Sequence, residues 1–104
     1  MMNNKYNLEI SPECFQRSMK RIINLVYKLL PMREEGQDWK PLLKNLNEEL
    51  SGMSRLIVDL QPEIFRIVCK MEGLFTLVEE TDMALYRKTI FECISLLSKL
   101  EIKE

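Results

Sequence analysis

The sequence contains no histidine. Histidine is the commonest general base and metal-binding side chain, so Ser–His and Cys–His nucleophile arrangements and the Glu-x-x-His metal sites of helical bundles are excluded. Adjacent acidic residues do not replace it, because neighbours on a helix point about 100° apart. These acidic pairs are Glu34–Glu35, Glu48–Glu49 and Glu79–Glu80. We therefore predict that the protein is not an enzyme and uses no cofactor or metal. A cation site that combines one such pair with oxygens of another helix is the alternative.

Glycine and proline are scarce, with three Gly and four Pro among 104 residues. Folds built from strands and tight turns need such residues every few positions, so their scarcity argues against an all-β protein. Hydrophobic residues make up 46 % of the chain, which is enough for one domain with a substantial core. The composition predicts a single all-α domain.

Cysteines are few and long apolar runs are missing. Cys14, Cys69 and Cys93 are an odd number without a CxxC spacing, and no signal peptide is visible, which predicts free thiols in the cytoplasm. The longest apolar run is only a few residues, so we expect no membrane-spanning segment. The frequent use of Asn, Lys, Ile and Glu is typical of an AT-rich bacterial or phage genome.

Hydrophobic residues recur at helical spacing in four segments. The predicted helices cover approximately residues 12–33, 39–60, 62–80 and 82–100. Ser11 and Thr81 are the predicted N-caps of the first and last helices, because each hydroxyl can accept a hydrogen bond from the first helical turn. Gly52 projects on the polar side of the second helix, which predicts a continuous helix, with a break at Ser51–Gly52 as the alternative. Short connections favour an antiparallel bundle of about four helices.

The bundle is expected to span residues 11–104, preceded by an N-terminal arm at residues 1–10. Phe65 and Phe91 lie off the apolar arcs of their helices, and Trp39 stands at a helix start. Large hydrophobic side chains outside a core often anchor contacts with partners, and the seven methionines suit a surface that repacks. These three aromatic residues are therefore predicted partner-binding residues. The alternative is that the bundle itself needs such wide apolar arcs.

Charge is distributed unevenly along a chain whose net charge is only -1. Residues 1–33 carry six basic residues against two acidic ones, whereas the remainder carries nine basic and fourteen acidic residues. One stripe of the first helix, called the basic stripe below, has no acidic member. It consists of Arg17, Lys20, Arg21, Asn24 and Lys28, with Tyr27 beside it. The stripe is a predicted site for nucleic acid or an acidic partner, and a solvated helix face is the alternative.

Two hypotheses about function follow. The first is a non-enzymatic helical protein-interaction module, a regulatory or adaptor protein that forms a homodimer. The second is a nucleic-acid-binding protein that uses the basic stripe. Neither hypothesis involves a membrane or a small-molecule substrate.

Overall fold

The computed structural model describes residues 2–3 and 9–100. Within that part of the chain, four α-helices form an antiparallel bundle in which each helix packs against two others. Helix α1 contacts α2 and α4, and α3 contacts the same two helices. The helices are α1 (Pro12–Glu34), α2 (Lys40–Leu56), α3 (Gln61–Gly73) and α4 (Met83–Ser98). This arrangement confirms the predicted all-α bundle.

Helix α1 begins where the sequence predicts. The hydroxyl of Ser11 accepts a hydrogen bond from the backbone N–H of Cys14 at 3.1 Å, and Pro12 occupies the first turn, where its missing N–H is not needed. Pro31 lies inside the helix without ending it, and α1 continues to Glu34.

Helix α2 runs through Gly52 without a break, as predicted, but its predicted end at residue 60 is wrong. The backbone leaves the helical conformation at Ile57, with φ -113° and ψ 83°, and a 3-10 turn follows at Val58–Leu60. The side chain of Ile57 is nevertheless buried. An apolar residue can thus reach the core from a turn even though its spacing fits a helix. The periodic pattern is the same in both cases, so it predicts a helix that is too long.

Helix α3 is much shorter than the predicted segment 62–80. It ends at Gly73, and a 3-10 turn follows at Leu74–Thr76. Val78, which continues the apolar arc in the sequence, is 50 % exposed. The backbone carbonyls beyond this turn bond to a side chain of α1 instead of to a further helical turn, as described below.

Helix α4 begins at Met83, and the predicted cap at Thr81 is wrong. Thr81 lies inside a 3-10 turn, Glu80–Asp82, and Asp82 is the residue that precedes the helix. No side-chain hydrogen bond caps this start. The helix ends at Ser98, two residues before the predicted end.

The core runs along the axis of the bundle and takes buried side chains from all four helices. Among the fully buried ones, Ile22 comes from α1, Leu43 from α2, Met71 from α3 and Tyr86 from α4. None of the helices between residues 9 and 100 is long and apolar enough to cross a lipid bilayer.

The predicted arm at residues 1–10 lies partly outside the described residues. Two short strands are described there, β1 (Met2–Asn3) and β2 (Glu9–Ile10). They pair antiparallel, with Met2 opposite Ile10.

Candidate protein-interaction surface

Two exposed aromatic side chains from different helices contact each other on the outside of the bundle. Tyr27 of α1 and Phe91 of α4 are each 48 % exposed, and their ring centroids are 6.3 Å apart with an interplanar angle of 71°. This is the edge-to-face geometry that aromatic pairs favour. The pair leaves about half of each side chain in water, so it is a preformed apolar patch.

Helical spacing explains why both rings lie at the same outer groove. Tyr27 directly follows the buried Val26, and Phe91 directly follows the buried Ile90. One residue turns a helix by about 100°, so each ring is displaced from the core to the edge of its helix. Because α1 packs against α4, those two edges meet.

An ion pair lies beside the aromatic pair on the same two helices. Nη2 of Arg87 is 3.0 Å from Oε1 of Glu34, and both side chains are about half exposed. The surface formed by Lys20, Tyr27 and Glu34 of α1 with Arg87 and Phe91 of α4 is called the α1–α4 face below.

The basic stripe is largely exposed, with one member engaged inside the molecule. Arg17, Lys20, Asn24 and Lys28 are exposed, and within residues 11–100 no carboxylate lies within 4.0 Å of the three charged ones. Arg21, by contrast, donates to both carboxylate oxygens of Glu49 on α2. That hydrogen-bonded pairing raises the pKa of Arg21. The stripe therefore offers three charged side chains and one amide to a partner.

Trp39 contributes little to the exposed surface. It is only 7 % exposed and packs inside the bundle, stacked on Phe75 at 6.3 Å and edge-on to Tyr86 at 5.1 Å. Directly before α2, the carboxylate of Asp38 accepts a hydrogen bond from the N–H of Lys40 at 3.3 Å. Trp39 is therefore a core residue in this fold.

Phe65 remains a candidate contact residue on a separate part of the molecule. It is 66 % exposed, the largest exposed fraction among the large hydrophobic side chains that the structure describes. It borders a shallow groove between α2 and α3 with Ser54, Gln61 and Pro62. No second exposed aromatic ring contacts it within residues 11–100.

Arg33, which the sequence pattern does not single out, joins α1 to the connection between α3 and α4. Its guanidinium donates to the backbone carbonyl of Leu77 and, at 2.8 Å, to that of Glu79. The same group lies 4.3 Å from the ring centre of Tyr86 and 5.8 Å from that of Trp39. These contacts fix the end of the bundle where Glu34 and Arg87 also lie.

The acidic side chains and thiols of the described residues form no metal-binding cluster. No group of three or more Cys, Asp or Glu side chains between residues 11 and 100 could hold a metal ion. Cys14 and Cys69 are exposed thiols, whereas Cys93 is buried, and that burial raises the pKa of the Cys93 thiol to about 11. The thiol of Cys93 is therefore protonated at neutral pH.

The chain was compared with models of known protein families, with curated proteins and with solved structures. None of the three comparisons finds a match. The candidate surface therefore rests on the geometry of this chain alone.

Proposed function

We propose that this chain is a non-enzymatic protein-interaction module, a small regulatory or adaptor protein that self-associates through the α1–α4 face. The observation that carries this proposal is the exposed contact between Tyr27 and Phe91. Aromatic side chains in the centre of an interface are the ones that most often dominate binding energy. The free thiols of Cys14, Cys69 and Cys93 agree with a reducing, cytoplasmic location.

Two physical features suit this pair to binding. The rings already contact each other in the free molecule, so little side-chain freedom is lost when a partner covers them. Charged groups surround the rings, as in the polar rim of many interfaces. Arg87 and Glu34 lie on one side of the pair, and Lys20 lies two turns away along α1.

Replacing Phe91 by Ala should weaken self-association by about 2 kcal/mol or more, or roughly 30-fold in the dissociation constant. Because Phe91 is half exposed in the single chain, the substitution should change the free energy of unfolding of the monomer by no more than about 1 kcal/mol. Light scattering after size exclusion over a dilution series measures the first quantity. Chemical denaturation at a concentration where the chain is monomeric measures the second.

Leu85→Ala is the matched control, because Leu85 lies on the same helix and is 52 % exposed but is outside the aromatic pair. It should leave association unchanged. Phe65→Ala tests the other exposed ring. If Phe65→Ala dissociates the protein and Phe91→Ala does not, the α1–α4 face is the wrong surface. A wild-type chain that stays monomeric at high micromolar concentration would contradict self-association altogether.

A second candidate function is nucleic-acid binding, which is favoured by the exposure of Arg17, Lys20 and Lys28 along one stripe. Reversing these three charges to Glu should then abolish a binding signal that falls steeply with salt, since neutralised phosphates release counterions. The matched control reverses three exposed cations that begin and end α2, namely Lys40, Lys44 and Arg55. Fluorescence anisotropy with labelled DNA and RNA at low salt is the measurement. No binding by the wild-type chain under those conditions would eliminate this candidate.

A further inference from the structure

The α1–α4 face carries a row of side chains whose charge reverses from one end to the other. Lys20, Tyr27 and Glu34 are spaced seven residues apart on α1, which is close to two helical turns per step, so the three side chains share one edge of the helix. All three are exposed. Tyr27 and Glu34 both contact α4, through Phe91 and Arg87, which places this edge at the outer groove between the two helices.

Two copies of this row are complementary in charge when one runs antiparallel to the other. Two copies of α1 that run antiparallel and cross at Tyr27 bring each Lys20 opposite a Glu34, because both lie about 10.5 Å from the centre along the helix. A two-fold axis through the centre generates both contacts at once, as in any interface that uses the same patch twice. A parallel pairing would instead place Lys20 against Lys20, which is repulsive.

We infer that a second copy of this chain docks on the α1–α4 face with its α1 antiparallel to the first, so that Lys20 of each copy pairs with Glu34 of the other. This inference rests on the proposed self-association and specifies its partner, orientation and register. The aromatic pairs of the two copies meet near the two-fold axis, and the two Lys–Glu contacts flank them.

The existing ion pair of Glu34 is compatible with this arrangement. A carboxylate has two oxygens and about four lone-pair positions, and Arg87 occupies one oxygen of Glu34. The side chain of Glu34 is 46 % exposed, so the amine of Lys20 from a second copy can reach its free oxygen. The result is a row of three charged groups, with the carboxylate of Glu34 between the cations Arg87 and Lys20 of the second copy.

The other charges of α1 are mixed along its length and do not set the orientation. Its first half carries three cations and Glu13, and its second half carries Lys28 and Arg33 as well as Glu34. The orientation therefore follows from the positions of Lys20 and Glu34 on the α1–α4 face. An unrelated acidic protein would complement only the cations and would have no use for Glu34.

The test is a pair of charge reversals, Lys20→Glu and Glu34→Lys, measured separately and mixed. Each variant alone places like charges at both Lys–Glu positions of its own dimer, and self-association should weaken about tenfold or more. In the mixture, the carboxylate introduced by Lys20→Glu faces the amine introduced by Glu34→Lys, and the unchanged Glu34 of the first variant faces the unchanged Lys20 of the second. Mixing should therefore restore association to within about threefold of the wild type, as a heterodimer. Analytical ultracentrifugation with one variant fluorescently labelled measures the association of each variant alone and of the mixture.

Lys44→Glu and Glu48→Lys are the matched controls, because they make the same charge changes at exposed positions of α2. Neither should change association, and mixing them should have no effect. If the mixture of Lys20→Glu and Glu34→Lys associates as weakly as each variant alone, the inferred register is wrong. If both variants dimerise like the wild type while Phe91→Ala does not, the inference fails and the proposed function stands. A wild-type chain that never self-associates overturns both.

Discussion

Replacing Tyr86 by Ala is expected to lower the free energy of unfolding by about 3–5 kcal/mol, because it removes a large ring from the centre of the core. Tyr86 is fully buried, lies edge-on to Trp39 at 5.1 Å and sits under the guanidinium of Arg33 at 4.3 Å. Urea denaturation followed by circular dichroism measures the loss.

Tyr86→Phe is the control, since it keeps the ring and removes only the hydroxyl, which lies 3.4 Å from the carbonyl oxygen of Leu29. We expect it to lose about 0.5–1.5 kcal/mol at neutral pH. A loss as large as that of Tyr86→Ala would show that the hydroxyl and not the ring is the main contributor. A negligible loss for Tyr86→Ala would contradict this core.

The wild-type chain and Tyr86→Phe should also differ at alkaline pH. Burial raises the pKa of Tyr86 from 10.0 to about 12, so the folded protein holds its phenol proton more tightly than the unfolded chain. The stability linked to this group is therefore fully present below about pH 10 and is lost as the pH rises toward about 12. Tyr86→Phe should remove this part of the alkaline loss.

Replacing Arg33 by Met is expected to lower the free energy of unfolding by about 1.5–3 kcal/mol. Met keeps an apolar stem against Tyr86 and Trp39 but removes the donors that bind the carbonyls of Leu77 and Glu79. In Arg33→Met, the amide protons of the connection between α3 and α4 should exchange faster than in the wild type, with a smaller change in the helices. Hydrogen exchange followed by mass spectrometry checks that local effect alongside the denaturation curve.

Arg87→Met is the matched control for Arg33→Met. Arg87 also lies at this end of the bundle, but it makes an exposed ion pair with Glu34, and such pairs contribute about 0–1 kcal/mol. If the two substitutions lower the free energy of unfolding equally, the contacts of Arg33 with the carbonyls stabilise the fold no more than an exposed ion pair does.

The helices themselves could be predicted from the sequence because their determinants are local. The apolar spacing of α1 and the cap at Ser11 followed by Pro12 depend only on neighbouring residues, and both are confirmed. The sequence correctly predicts Gly52 inside a helix, because a missing side chain on the outside of a helix costs only about 1 kcal/mol.

The path of the chain after α3 could not be predicted, because it makes contacts with residues that are far away in the sequence. Arg33 binds the carbonyls of Leu77 and Glu79, which are 44 and 46 residues away in sequence. The burial of Trp39 depends in the same way on Phe75 and Tyr86. The periodic pattern shows which residues are apolar, but it does not show which of them contact each other.

The candidate surface was partly visible in the sequence. The pattern placed Phe91 off the arc of its helix and Tyr27 beside the basic stripe, and both are exposed. Their contact follows only once α1 is known to pack against α4. The pairing of Arg21 with Glu49 was equally hidden, since it joins residues 28 positions apart.

The α1–α4 face is proposed to mediate self-association, and a dilution series followed by residue-resolved NMR can show directly which surface is involved. Amide signals of the wild-type chain are recorded from high to low micromolar concentration. We expect concentration-dependent shifts to cluster around Lys20, Tyr27, Glu34 and Phe91 while the signals around Phe65 stay constant. Spectra that do not change with concentration, or changes confined to the surroundings of Phe65, would contradict the proposal.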